Sequence, residues 1–141
     1  MKKLILAFTF AMCSLSFAKE LSLKEKADRS SLSIRLANYT AQKAKTLQGT
    51  VIDDIQTLSS IDLDEKMDLP LVQNAFLTLI ILEDPVDGDP SRTGVQILAK
   101  SFSKNKSLYI KAANTLKTTK KKELKEILKV MESFSSEGNG Q

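Results

Sequence analysis

The chain has 141 residues and a formal net charge of +4, and it contains no histidine, no tryptophan and one cysteine. The lack of histidine excludes a Ser-His-Asp triad and the usual zinc and copper sites, and a single cysteine excludes a redox pair. The length suits one domain with its own core, and only carboxylates, lysines and hydroxyls are left for chemistry.

Residues 1–18 have the form of a secretory signal sequence. Lys2 and Lys3 give a basic start, an apolar run follows, and Ser16-Phe17-Ala18 fits the small-x-small pattern that signal peptidases cleave. We expect cleavage after Ala18, so that Cys13 leaves with the signal. The basic start favours a bacterial source, and the protein is therefore expected to be periplasmic or secreted.

The first helix after the signal should begin at a capping box. In Ser22-Leu23-Lys24-Glu25, the Ser22 hydroxyl and the Glu25 carboxylate can each accept a hydrogen bond from the other's backbone N–H. A ladder with steps of four and three residues then predicts a long helix packed inside a bundle, or alternatively a coiled coil with a partner chain. Gly49 interrupts the ladder and should either end or bend this helix. The ladder consists of Leu23, Ala27, Ser30, Ile34, Ala37, Ala41, Ala44, Gln48, Val51, Ile55 and Leu58.

The most apolar stretch beyond the signal runs from Leu69 to Leu82 and predicts a core helix. Its apolar side chains project almost all the way round a helical wheel, so this helix needs neighbours on most sides. It would rise only about 21 Å, which is too short for a membrane span. Pro70 suits its first turn. Leu77 and Ile81 lie on the more polar side, and they are our candidate contact with a partner.

An acidic segment rich in turn residues follows, at residues 83–94. We favour turn and capping roles for its aspartates, because Asp-Pro and Asp-Gly steps already account for them. The alternative is a Ca²⁺ site with Asp84, Asp87 and Asp89 as candidate ligands, although their spacing does not match an EF-hand. A carboxylate-based hydrolase that pairs Glu83 with Asp84 or Asp87 is the weakest hypothesis, since the loop suggests no pocket that would raise a pKa.

Further helices are predicted beyond this loop. One should end at Asn105, after which Ser107 can cap the next. The apolar phase continues to Phe134, but Thr118 and Thr119 can cap a new helix, so we favour a bend or break near Thr118. The three lysines that follow argue against it, because cations in a first helical turn oppose the helix dipole. Residues 135–141 have nothing to bury and should form a disordered tail.

Charge is divided unevenly along the chain. Residues 50–90 contain ten acidic residues and one basic residue, whereas residues 91–129 contain eleven basic and two acidic residues. We favour an arrangement in which acidic connectors and basic helices lie side by side. The alternative is a basic patch for an anionic phospholipid or glycan; nucleic acid is disfavoured because the lysine-rich segment has no arginine and no interleaved aromatic residues. The candidate patch consists of Lys117, Lys120, Lys121, Lys122, Lys125 and Lys129.

These patterns predict an all-α, single-domain bundle of four to six helices around the helix at about 69–82. The predicted organisation is a signal peptide at 1–18, a helical bundle domain at 19–134 and a tail at 135–141. The predicted function is that of an exported, non-enzymatic protein without a cofactor, which binds or supports a protein or cell-envelope component. The partner and the oligomeric state are left open by the sequence.

Overall fold

The computed structural model describes residues 20–42, 48–82 and 90–139, and these ranges contain six helices and no strands. The all-α prediction is confirmed for this part of the chain, while the predicted signal peptide lies outside it. The helices are α1 (Leu23–Gln42), α2 (Gln48–Ser60), α3 (Leu69–Leu82), α4 (Pro90–Lys104), α5 (Lys106–Thr115) and α6 (Lys121–Asn139).

The capping box at the start of α1 is confirmed. The Ser22 N–H donates to Glu25 Oε2 over 2.8 Å, and the Glu25 N–H donates to Ser22 Oγ over 3.1 Å. Each side chain therefore satisfies a backbone donor that has no partner inside the helix.

The predicted ladder is wrong along α1. Leu23 and Ile34 are 86% and 58% exposed, and the ladder's alanines that the structure describes are exposed as well. The large apolar side chains that α1 buries are instead Leu32, Leu36 and Tyr39. Burying these side chains removes more apolar area from water than burying alanine and serine would. The side of α1 with the larger apolar side chains therefore faces the core. The ladder correctly places the buried apolar residues of α2, Val51, Ile55 and Leu58.

α1 and α2 form an antiparallel hairpin rather than one long helix. The Tyr39 hydroxyl donates to Asp54 Oδ2 over 2.6 Å, and Arg29 Nη2 donates to the Asp62 carbonyl over 2.7 Å. In a continuous straight helix, Tyr39 and Asp54 would lie about 22 Å apart along the axis. Gly49 belongs to the first turn of α2 and does not end α1.

The described helices lie in two layers of three. In one layer α3 packs between α1 and α5, and in the other α4 packs between α2 and α6. Contacts of α3 with α4 and α6, and of α1 with α2, join the two layers. The helix predicted at about 69–82 is confirmed with those bounds, but it shares the central position with α4.

Aromatic side chains connect the layers through α5. Tyr109 makes edge-to-face contacts with Phe76 of α3 and Phe102 of α4, with ring centroids 5.9 and 5.8 Å apart. Burial raises the pKa of Tyr109 to about 12. α4 lies close to α3 at Gly94, because a Cβ there would come within 2.6 Å of Leu79 Cδ2. The middle of the bundle is therefore tightly packed.

The end of α4 is confirmed and the cap of α5 is corrected. α4 ends at Lys104, and Asn105 Nδ2 closes its last turn by donating to the Ser101 carbonyl over 3.0 Å. Ser107 is not the cap of α5, because it lies inside that helix and its hydroxyl donates to the Glu65 carboxylate. A contact with the connector before α3 has replaced the predicted local bond.

The predicted break near Thr118 is confirmed. α5 ends at Thr115 and α6 begins at Lys121, with non-helical residues 116–120 between them. α6 then continues beyond residue 134 to Asn139, so part of the predicted disordered tail is helical.

Candidate functional site

Six exposed lysines surround the connector between α5 and α6 and continue along the outer side of α6. They are Lys117, Lys120, Lys121, Lys122, Lys125 and Lys129, and together they are called the lysine face. Lys122, Lys125 and Lys129 follow one another at intervals of three and four residues, so they share one side of the helix over about 10.5 Å. The opposite side of α6 is buried at Leu124, Ile127 and Met131.

Local hydrogen bonds hold the connector that carries the first of these lysines. Thr118 Oγ1 accepts a bond from the Lys120 N–H over 3.1 Å. Lys121 Nζ donates to the Leu116 carbonyl over 2.5 Å, which places an ammonium group at the C-terminal end of α5. The C-terminal end of a helix attracts cations, so Lys121, the first residue of α6, stabilises the C-terminus of α5.

The lysine face has no carboxylate partner in the part of the chain that the structure describes. Glu132 of α6 lies 3.1 Å from Lys106 Nζ of α5, so that carboxylate is engaged elsewhere. Each lysine in the first turn of α6 opposes the helix dipole at a cost of about 0.3–1 kcal/mol. The described ion pairs do not offset this cost, and they do not show the predicted pairing of acidic connectors with these lysines.

The hairpin of α1 and α2 contains a paired, buried carboxylate. Asp54 is 7% exposed and accepts hydrogen bonds from Arg35 Nε over 3.1 Å and from the Tyr39 hydroxyl over 2.6 Å. Burial and the bond to Asp54 raise the pKa of Tyr39 to about 12. The bond to Asp54 also raises the pKa of Arg35 above its ordinary value. These three side chains fix α1 to α2.

A second buried carboxylate organises the connector before α3. Asp68 is 2% exposed, and it accepts bonds from the Arg29 guanidinium and, over 2.7 Å, from the Asp64 N–H. The carboxylate of Asp64 accepts the backbone N–H groups of Lys66 and Met67 over 2.8 and 2.9 Å, and these bonds lower the pKa of Asp64. Buried charge is therefore matched at both Asp54 and Asp68.

Arg29 separates two half-open clefts. The α1–α3 cleft, about 310 Å³, lies between α1 and the start of α3, and its walls include Lys26, Ile34 and Met67. The second cleft, about 280 Å³, lies between α1 and the end of α2 and is lined by the carboxylates Glu25, Asp28 and Asp62. The sequence interpretation missed the α1–α3 cleft because it placed Ile34 in a buried ladder. The one sequence signal for this cleft is Ile34, an isoleucine among alanines and serines. Its exposure could be recognised only once the orientation of α1 was known.

Leu77 and Ile81, the predicted partner contact, are both partly buried. Leu77 packs against the hydrophobic core. The polar residue Asn74 is bound to α1, because its Nδ2 donates to Ser33 Oγ over 2.9 Å. The more polar side of α3 thus faces neighbouring helices in part, and contact of Leu77 and Ile81 with a partner stays a prediction.

The predicted calcium ligands Asp84, Asp87 and Asp89 lie outside the described residues, as does Glu83 of the hydrolase hypothesis. Within residues 20–42, 48–82 and 90–139, no group of three or more acidic, cysteine or histidine side chains is arranged to hold a metal ion. No helix in the same ranges is both long and apolar enough to cross a membrane.

Comparison with protein-family models, with curated proteins and with solved structures finds no match to this chain. Function must therefore be argued from its own residues. Among the described residues, the lysine face and the α1–α3 cleft are two surfaces that an outside partner could reach.

Proposed function

We propose that this chain is an exported, non-enzymatic binding protein whose lysine face docks on an anionic phospholipid surface of the cell envelope. The proposal is carried by the six exposed lysines, none of which pairs with a carboxylate among the described residues. A lysine close to an anionic membrane contributes about 1 kcal/mol of attraction. The lysines in the first turn of α6 oppose their own helix dipole and so lower stability. Binding to a partner outside the chain explains their position better than a role in the fold does.

The shape of the lysine face favours an extended surface over a small ligand. Lys122, Lys125 and Lys129 form a row on the convex outer side of α6, with Val130 exposed beside them. Ammonium groups act as point charges and lack the planar fork with which arginine selects one phosphate. Such a row can meet many interchangeable headgroups, whereas RNA and single-stranded DNA would call for aromatic side chains on which bases stack.

The chemistry of the remaining residues supports a non-enzymatic role. The chain has no histidine, and its one cysteine lies in the predicted signal peptide. The buried carboxylates Asp54 and Asp68 each accept bonds from an arginine. A general base needs an accepting oxygen free to reach a substrate, and these carboxylates are committed to holding the fold.

Co-sedimentation with vesicles tests the membrane proposal. We expect the purified protein to sediment with vesicles that contain phosphatidylglycerol and to stay in solution with pure phosphatidylcholine vesicles. Because the attraction is screened by salt, binding should weaken steeply as ionic strength rises. Equal binding to both kinds of vesicle, or binding to neither, would reject the proposal.

Two matched triple variants assign the binding to the lysine face. Replacing Lys122, Lys125 and Lys129 by Gln should weaken affinity for the anionic vesicles by roughly a hundredfold, since each lysine supplies about 1 kcal/mol. The control replaces three exposed lysines outside the face, Lys24, Lys66 and Lys100, and changes the net charge equally. It should bind within about twofold of the parent. Equal losses in the two variants would show that net charge, not the lysine face, governs binding.

Export is tested separately by recovering the protein from a bacterial periplasm and sequencing its N-terminus. Cleavage of the predicted signal should leave Lys19 as the first residue. Protein retained in the cytoplasm with Met1 still present would reject export.

A further inference from the structure

The α1–α3 cleft concentrates exposed apolar surface. Ile34 is 58% exposed and Met67 is 46% exposed, and both line this cleft. They are two of the five large apolar side chains that remain exposed in the described residues; the others are Leu23, Ile110 and Val130. Apolar side chains gathered at a concave surface indicate a binding site more strongly than the same side chains scattered singly.

The cleft also carries a single uncompensated positive charge. Its ionic residues are Lys26, Arg29 and Asp68, and Arg29 is bound to Asp68. Lys26 is exposed, and among the described residues it has no carboxylate partner. The hydroxyl of Ser30 lies on the same wall. An anionic group in this cleft would therefore meet an ammonium group and a hydroxyl donor.

Lys26 and Ile34 lie at opposite ends of the wall that α1 gives to the cleft, and Met67 lies near Arg29, because the next residue, Asp68, binds Arg29. Lys26 and Ile34 are separated by about 12 Å along α1, with the cleft between them. The volume of about 310 Å³ lies at the lower limit of small-molecule sites. On the other side of Arg29, the carboxylates Glu25, Asp28 and Asp62 would repel an anion. An anionic group is thus favoured beside Lys26 and disfavoured beyond Arg29.

We infer that the α1–α3 cleft binds a small amphiphilic carboxylate, with its head at Lys26 and its apolar chain running past Met67 to Ile34. A fatty acid of medium chain length has this chemistry. The inference uses residues outside the lysine face and does not depend on membrane docking.

Nuclear magnetic resonance titration of the ¹⁵N-labelled protein tests the site, with octanoate, 1-octanol and acetate as probes. Octanoate should cause saturable shifts at the amides of Lys26, Ser30, Ile34 and Met67. Octanol, which keeps the chain and loses the charge, should bind about fivefold more weakly, because an exposed ion pair is worth up to about 1 kcal/mol. Acetate should cause no saturable shift. Octanoate shifts confined to the lysine face, or shifts that do not saturate, would overturn the inference.

Matched variants on α1 test separately the contact of Lys26 with the carboxylate head of the ligand and the contact of Ile34 with its apolar chain. Lys26→Gln should weaken octanoate binding about fivefold and leave octanol binding unchanged, whereas Ile34→Asn should weaken both. The controls are Lys24→Gln and Leu23→Asn, which alter exposed residues of the same helix outside the cleft lining. Both controls should bind as the parent does. A loss in Lys24→Gln equal to that in Lys26→Gln would overturn the assignment of the head, and an unchanged Ile34→Asn would overturn that of the chain.

Discussion

The α1–α2 hairpin and the lysine face use charge in opposite ways. In the hairpin, Asp54 is buried, and Arg35 and Tyr39 both donate to it. On the lysine face, six ammonium groups are exposed, and none meets a carboxylate within the described residues. Buried charges must be paired because desolvation is costly, whereas exposed charges can remain unpaired in water.

This difference separates charge that maintains the fold from charge available to a partner. Changes in the hairpin should therefore alter the free energy of unfolding. Changes on the lysine face should leave it nearly unaffected and act on binding instead. Three predictions test this division.

The largest effect is expected at Asp54. Asp54→Ala should lower the free energy of unfolding by about 3 kcal/mol, because it leaves the Tyr39 hydroxyl and the Arg35 guanidinium without their acceptor. Urea denaturation gives the value. The exposed neighbour provides the control, and Asp53→Ala should cost less than about 0.5 kcal/mol. Similar losses in the two variants would mean that the buried network contributes little.

A second effect is expected at alkaline pH. The pKa values of Tyr39 and Tyr109 rise from an ordinary value of 10 to about 12 in the folded protein. Because the folded state holds these protons more tightly than the unfolded state, their contribution to stability is complete below pH 10 and is lost as pH rises towards 12. Urea midpoints measured across this range should fall.

The double variant Tyr39→Phe/Tyr109→Phe is the control for that fall. It removes both phenolic protons, so its stability should depend less on pH between 10 and 12 than that of the parent. An equally steep fall in the double variant would show that the two tyrosines are not the cause of the pH dependence.

The smallest effect has the opposite sign. Lys122 lies in the first turn of α6, where a cation opposes the dipole and an anion is favoured. Lys122→Glu should therefore raise the free energy of unfolding by about 0.5 kcal/mol while it weakens vesicle binding. Lys129→Glu, in the middle of the same helix, should weaken vesicle binding without that gain. Urea denaturation and co-sedimentation of the two variants would measure both effects, and a loss of stability in Lys122→Glu would contradict this account.

Local chemistry made several features predictable from the sequence. The bounds of α3 follow from a long apolar run after Pro70, and the start of α1 follows from reciprocal bonds between residues three apart, Ser22 and Glu25. The break near Thr118 follows from a threonine that can bond the backbone at a helix start, and its hydroxyl accepts the Lys120 N–H. Each of these depends on neighbours in sequence.

Features that depend on distant neighbours were not predictable in this way. The ladder of α1 predicted that Ile34 is buried. Packing against α2 and α3 instead buries the side of α1 that carries Leu32 and Leu36. Ser107 could have capped α5, but Glu65 from a distant connector accepts its hydroxyl. The α1–α3 cleft was missed for the same reason. Its lysine and its exposed apolar side chains belong to one site only once α1 is oriented against α3.

The alternation of helices between layers has a consequence for the order in which the chain can fold. α1 packs more extensively against α3 than against α2, and α2 packs most extensively against α4. A chain that emerges N-terminus first must therefore keep the apolar side of each early helix uncovered until the next helix but one has followed. Phe76 of α3 waits in the same way, because its contact with Tyr109 needs α5. Such delayed contacts slow folding and extend the time in which a chaperone can hold the nascent chain open.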